Sequence, residues 1–402
     1  MRRPGIVLLA LTLNLAITAP AFARPAWKQK IDRAIGGRSM GVSVHYEGKA
    51  IYEHASKARR VPASNEKLLL SMGLYATLTP EYRIPTSVYG PAPADGVIRG
   101  KVWLSGRGDP TITAGGRFGR SLPFRATGLT NLARQLKNAG VRKIKGRVMG
   151  DTGFFGRDWY APGWKSSFPA EEVPLPSALT FEGNTHKGAH ITNPEWRAAR
   201  ALTQKLKARG IKVAKGARAA NMPVGQAALA TTFSRPLHVL VQFMNRKSSN
   251  FFAEVFGKLL GVMRNGAPGT IAKGADAIEN WWASKWGVAL SANDGSGLSY
   301  DNRVSPRGIT RLLDVADDHA WGAQLRKDLP TGGQGTLEDR LHGIPVRAKT
   351  GTLDGVSALS GWVWLRREKA WATFSMLSSG MPKYSAAVIE DRIVNVLHRA
   401  AN

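Results

Sequence analysis

The run Leu68–Leu78, Leu-Leu-Leu-Ser-Met-Gly-Leu-Tyr-Ala-Thr-Leu, is apolar on nearly every side of a helix. A helix without a polar stripe has to be surrounded by protein. The chain is therefore expected to build a sizeable domain with this helix at its centre. Its entrance reads Pro62-Ala63-Ser64-Asn65-Glu66-Lys67. Ser64 and Lys67 are three residues apart, so they share one helix face. A lysine held partly out of water beside a serine loses proton affinity and can take the serine's proton. The helix N-terminus adds free N–H groups and a positive end where an oxyanion would form. A serine here is also a good N-cap, so this short motif needs the rest of the chain to give it meaning.

The first residues read as an export signal. Arg2 and Arg3 precede an apolar run from Ile6 to Ala19, and Ala21-Phe22-Ala23 is a small-x-small cleavage site. Residues 1–23 are thus expected to be removed, leaving an exported, periplasmic protein without a transmembrane anchor. There are no cysteines, which excludes thiol catalysis and zinc–thiolate sites. The eight histidines form no ligand-like pair, and neither a metal nor another cofactor is expected. The formal charge is +29, with dense patches at Lys137–Arg147 and Lys205–Arg218. Such a field favours polyanions. No nucleic-acid module is recognisable and the export signal argues against that partner, which leaves anionic wall or lipid surfaces. Binding to the sacculus that ignored salt would contradict this electrostatic reading.

Texture divides the chain. Residues 24–36 read as a helix, Met40–Tyr46 and Ala50–His54 as a hairpin, and then comes the Ser64 helix. From about Thr86 glycine, proline and short strands dominate, with a helix at Leu129–Ala139, a strand pair around Lys143–Met149 and a further helix at Trp196–Arg209. Helical texture returns at His238–Met244, Phe251–Leu260, Thr270–Trp286 and Pro306–Ala316. Three strands follow at Arg347–Thr352, Ser360–Leu365 and Ala370–Ser378, then an amphipathic helix, Tyr384–Ala400, expected to pack on that sheet. The fold class is mixed α/β. Residues 24–85 and 230–402 are expected to form one domain, with a β-rich domain, 86–229, inserted into it.

Two more motifs follow in order, Ser248-Ser249-Asn250 between two helices and Lys349-Thr350-Gly351-Thr352 on a strand. Together with Ser-x-x-Lys they form a signature of serine acyl-transfer enzymes. Ser248 can relay a proton between Lys67 and a leaving amine. Asn250 can bind a peptide amide. Lys349, with the Thr350 and Thr352 hydroxyls, suits a terminal carboxylate. Gly351 lets substrate and helix come close to the strand. The Ser64 and Thr352 N–H groups would form the oxyanion hole.

With these motifs the chain resembles the class C low-molecular-mass penicillin-binding proteins, the D-alanyl-D-alanine carboxypeptidase/endopeptidase family. The resemblance extends through Gly106–Thr111, Ala161-Pro162-Gly163-Trp164, Pro176–Leu179, Asp294-Gly295-Ser296-Gly297-Leu298-Ser299 and Ala348–Val356. It implies a penicillin-binding-protein/serine β-lactamase-like fold and hydrolysis of D-alanyl bonds in peptidoglycan stem peptides ending in D-Ala-D-Ala. It also implies an acyl-Ser64 intermediate and acylation of Ser64 by β-lactams. Asp158 matches the acidic position that holds the amino end of the diaminopimelate side chain. Where many members carry an arginine for the diaminopimelate carboxylate, this chain has Tyr300, with Arg303 nearby. The segment from Ser64 to Ser248 is also shorter than the family's usual one. Two other readings share parts of the pattern. A β-lactamase needs a deacylating carboxylate, and Glu171, Glu172 and Glu182 lie in a proline-rich loop without a recognisable spacing for that work. A non-catalytic wall-binding protein has no need of both a nucleophile and a base.

Overall fold

The computed structural model describes residues 25–400; the export-signal reading of residues 1–23 falls outside them. A five-stranded antiparallel sheet has the order Val346–Leu353, Val356–Leu365, Ala370–Ser379, Met40–Tyr46, Lys49–His54. Both ends of the chain therefore meet in one sheet, with Met40 opposite Ser378. Side chains alternate along the strand Val356–Leu365. Leu359 and Val363 face one core, while Ala358 and Trp362 face another. Both faces are covered, which is why this strand is buried along nearly its whole length.

One face carries the helices Ala26–Ile35 and Lys383–Ala400. Ile31, Ile35, Ile393, Val394 and Leu397 are buried there against the sheet, the packing role expected of the C-terminal helix. The other face carries the helical core. At its centre is the helix Glu66–Leu78, in which every residue from Glu66 to Tyr75 is buried. Around it lie Leu237–Lys247, Asn250–Asn265, Ile271–Trp286 and Pro306–Asp317. Leu68, Leu69, Leu70, Met72 and Leu74 are wholly enclosed; burying such side chains contributes about 1.5–3 kcal/mol each, against the entropy of ordering them. Ser64 stands on the turn that enters this enclosed helix.

Residues 86–229 contribute most of a third core. It lies around a second sheet with the order Arg218–Ala220, Val148–Asp151, Val102–Gly106, Pro85–Gly90, Ala227–Phe233. A smaller parallel sheet has the order Lys212–Val213, Lys143–Ile144, Val97–Ile98. The helices Leu129–Asn138 and Pro194–Lys207 pack on these strands, so the segment is mixed α/β. The strands expected to pair around Lys143–Met149 do not pair with each other. Residues 145–147 carry the chain from the small sheet to the large one, Lys145 N–H donating to Ile98 O and Val102 N–H to Arg147 O.

Candidate active site

Ala63–Asn65 form a 3₁₀ turn that leads into the serine helix, and Ala63 takes a left-handed φ of 46°. Such backbone is held only where its surroundings over-determine it. Here the constraint comes from two glycines. Gly351 passes so close that an added Cβ would lie 2.8 Å from Pro62 O, and at Gly297, φ +82°, a Cβ would lie 1.9 Å from Ala63 O. The strand Val346–Leu353 is tied to the same turn, Asn65 Nδ2 donating to Lys349 O at 3.1 Å. Ser248 is the left-handed C-cap of Leu237–Lys247, and Ser249 caps the next helix by accepting from Phe252 N–H. That double cap makes a tight corner and sets Asn250 at the first position of its helix.

These elements bring the three motifs together. Lys67 Nζ donates to Ser64 Oγ at 2.9 Å, to Asn250 Oδ1 at 2.9 Å and to Ser296 O at 2.5 Å. Lys349 Nζ donates to Ser248 Oγ at 2.9 Å and to Thr350 O at 2.7 Å. Thr350 Oγ1 donates to Thr336 Oγ1 at 2.7 Å. Ser64, Ser248, Asn250, Thr350 and Thr352 line an open cleft of ≈ 1010 Å³. Burial pushes Lys67 down to about 8, against the pull of Asp294 and Glu254, which favour its charged form. Lys349 is held well below its usual value by burial and then by the charge of Lys67. Two ammonium groups so near each other resist being charged together, which leaves amines able to accept a proton.

The profile of the family described as D-Ala-D-Ala carboxypeptidase 3 (S13) matches residues 28–187 and 179–400. The chain belongs to that family. Among relatives of this D-Ala-D-Ala carboxypeptidase-family chain, a carboxypeptidase of Mycobacterium tuberculosis is 29% identical over 355 residues, covering 83% of this chain and 74% of the relative. The D-alanyl-D-alanine carboxypeptidase of Actinomadura sp. is 26% identical over 462 residues, covering 90% and 81%. The structure of penicillin-binding protein 4 from Haemophilus influenzae has a TM-score of 0.77 at 19% identity, covering 92% of this chain and 99% of that one. At that identity the likeness speaks for the fold: a penicillin-binding-protein fold of mixed α/β class.

For this family member, the contact expected of Asp158 is corrected by the structure. Asp158 does not line the cleft. Its carboxylate accepts from Lys258 Nζ at 2.9 Å and from Ile271 N–H at 2.6 Å. Lys258 is fully buried, and a buried ammonium needs its counter-charge, so Asp158 is committed to it. Arg303 turns to the backbone carbonyls of Tyr300 and Asn302 instead of the cleft. Tyr300 does line the cleft, its hydroxyl accepting from Asp354 N–H at 3.1 Å, beside an ion pair of Lys165 with Asp354. The inserted segment thus reaches the site. Glu172 does so too, accepting from Asn250 Nδ2 at 3.3 Å, whereas Glu182 is taken up by Thr113, Ala114 and Gly116.

Sequence reading missed the groups beneath Lys67. Asp294 is buried and accepts from Gly297 N–H, Ser299 N–H, Trp164 Nε1, Asn302 Nδ2 and Ser296 Oγ. Glu254 accepts from Gly295 and Ser296 N–H, and so aims the Ser296 carbonyl at Lys67. Burial raises Glu254 to about 8 and carries Glu66 well above its usual range, with Asp294 adding to both. The signal for Glu254 was an acid inside the apolar run Phe251–Leu260.

Proposed function

We propose that this chain hydrolyses D-alanyl peptide bonds of peptidoglycan stem peptides through an acyl-Ser64 intermediate, and that β-lactams acylate the same serine. The observation that carries the proposal is the pair of amine–hydroxyl contacts, Lys67 on Ser64 and Lys349 on Ser248, at 2.9 Å each. In its neutral form Lys67 accepts the Ser64 proton as Oγ attacks the carbonyl of the penultimate D-alanine. The oxyanion is held by the N–H groups of Ser64 and Thr352. The proton passes by way of Ser248 to the departing amine, the C–N bond breaks, and water later releases the acyl group to restore Ser64. The substrate carboxylate lies against Lys349, Thr350 and Thr352, and its negative charge draws a proton back onto Lys349. Asn250 holds both the Lys67 amine and the peptide amide. Tyr300, Lys165 and Asp354 border the groove where the diaminopimelate side chain would rest.

In this reading residues 24–85 and 230–402 form the catalytic body and 86–229 an accessory lobe, and the enzyme works in the periplasm after loss of residues 1–23. Among the described residues no helix is long and apolar enough to cross a membrane. The test is labelling of the mature protein and of Ser64→Ala with a fluorescent penicillin, followed by intact mass over hours, beside release of D-alanine from a peptide ending in D-Ala-D-Ala. A stable one-to-one adduct lost in Ser64→Ala, with D-alanine release, supports the peptidase. Rapid turnover of the drug would make the chain a β-lactamase. No adduct at all would leave a wall-binding protein.

A further inference from the structure

The positive charge is not spread evenly. From Arg99 to Arg147 the chain has twelve lysines and arginines and one acid, Asp109; from Arg197 to Arg218 it has eight and no acid. Asp109 is wholly buried and bonded to Thr111 and Thr127, so it offers nothing to the surface. The fold places the two stretches side by side. The helices Leu129–Asn138 and Pro194–Lys207 share one core, and the strands Lys143–Ile144 and Lys212–Val213 pair in parallel with Lys143 directly beside Lys212. Like charges set opposite each other on neighbouring strands are unfavourable on their own.

Next to that pair is an open cavity of ≈ 630 Å³ with Lys101, Lys145, Arg147, Lys215 and Arg218 in its wall and no acidic or aromatic residue. None of these five side chains has an ion pair or hydrogen bond among the described residues. The backbone holds their positions, Lys145 N–H donating to Ile98 O and Lys215 N–H to Gly146 O. Folding has thus gathered cations without a protein partner around a hollow, and an anionic ligand would complement their charge. Arginine forks and lysine point charges together suit phosphate oxygens. Without an aromatic platform the hollow has nothing to stack a nucleobase. Its concave form, with the paired Lys143 and Lys212 two and three residues along the chain from Lys145 and Lys215, suits an extended chain better than a flat bilayer.

We propose that this lobe binds a linear phosphodiester polymer, one phosphate seated among Lys101, Lys145, Arg147, Lys215 and Arg218 and its neighbours running past Lys143 and Lys212. The site would hold the enzyme on a polyanion while the cleft works on peptide. The test uses the full mature protein and a synthetic poly(glycerol phosphate) oligomer, with affinity measured over a range of salt. The double variant Lys145→Glu/Lys215→Glu is compared with Lys49→Glu/Lys57→Glu, which makes the same charge change at exposed positions on the other body. The expected result is a loss of affinity of about tenfold or more, with a shallower salt slope, for the first pair, and about twofold or less for the second. Penicillin labelling of Ser64 should be unchanged in both, which shows that they fold and separates this inference from the acyl-enzyme reading. Equal weakening by both pairs would reduce the effect to diffuse charge and overturn the site. Failure of the oligomer to bind would overturn it as well. So would binding to phosphatidylglycerol vesicles without binding to the oligomer, which would make the face a membrane contact.

Discussion

Replacing Gly297 by alanine isolates the contact that positions Ser64, the nucleophile of the proposed function. The new methyl would stand 1.9 Å from the Ala63 carbonyl oxygen, where carbon and oxygen normally meet at about 3.3 Å or more. Either the Asp294–Ser299 loop or the Ser64 turn must retreat by about 1.4 Å. The loop carries the Ser296 carbonyl that holds Lys67, and the turn carries Ser64. A misplacement of that size costs about a hundredfold in rate. The left-handed φ of +82° adds about 1–2 kcal/mol of strain for any residue with a Cβ. Gly287 provides the control. Its φ is +63°, and an added Cβ would meet nothing within 4 Å. Gly287→Ala therefore carries the backbone strain without the clash. The second-order rate of acylation by a fluorescent penicillin, with thermal unfolding of each variant, separates the two effects. Both variants should lose about 1–2 kcal/mol or more of stability, and Gly297→Ala alone should lose about two orders of magnitude in acylation. Wild-type acylation by Gly297→Ala would refute the argument, as would an equal fall in Gly287→Ala.

Other perturbations probe the remaining parts of the site. With Lys67 at about 8, only about a tenth of it is neutral at pH 7, so the acylation rate should climb through pH 8 and level off above it; a flat profile from pH 6 to 9 would remove Lys67 as the base. Glu254 sits at about 8 in the folded protein against an ordinary value of 4.5, so between those values the native state keeps a proton that the unfolded chain gives up, and stability falls as pH rises. Glu254→Gln has no such proton, so between pH 5 and 7 it should gain about 2 kcal/mol relative to wild type in chemical denaturation; a constant difference would show Glu254 to be ionised. Asp158→Asn leaves Lys258 short of its counter-charge and should cost about 1–3 kcal/mol, while acylation of the folded fraction stays within about twofold of wild type; a selective loss of peptide turnover would return Asp158 to substrate binding. Tyr300→Ala should raise KM for peptides bearing a diaminopimelate side chain by about tenfold and leave penicillin acylation within about twofold; equal effects on both would make Tyr300 structural.

The parts of the site that the sequence made legible are local. Ser64 with Lys67, Ser248 with Asn250, and Lys349 with Thr350 each lie within one turn or one strand, so spacing alone sets their relative geometry. The acceptors beneath Lys67 are of another kind. Ser296 O accepts from it, with Glu254 and Asp294 holding the loop behind, only because the Asn250–Asn265 helix and the Asp294–Ser299 loop pack against the serine helix, and no spacing encodes that. Asp158 shows the converse. It matched a position in the family's pattern, yet a buried lysine a hundred residues further along the chain claims its carboxylate. Lys143–Ile144 and Val148–Asp151 are strands, as their residues suggest, but each pairs with partners remote in sequence rather than with the other. Helices announced themselves through periodicity, while sheet partners depended on the whole chain.

The central sheet joins Met40–Tyr46 to Ala370–Ser379, strands from opposite ends of the protein, and Lys349 lies on the outermost strand of its C-terminal half. An N-to-C-terminal order of synthesis therefore delivers Ser64 long before the lysine that completes its surroundings. The middle lobe can gather its own core while the first two strands wait for partners. A nascent or C-terminally truncated chain would hold Ser64 and Lys67 on their helix without the strand that fixes the Ser64 turn. In the proposed function, a chain without those last strands would lack acylating power.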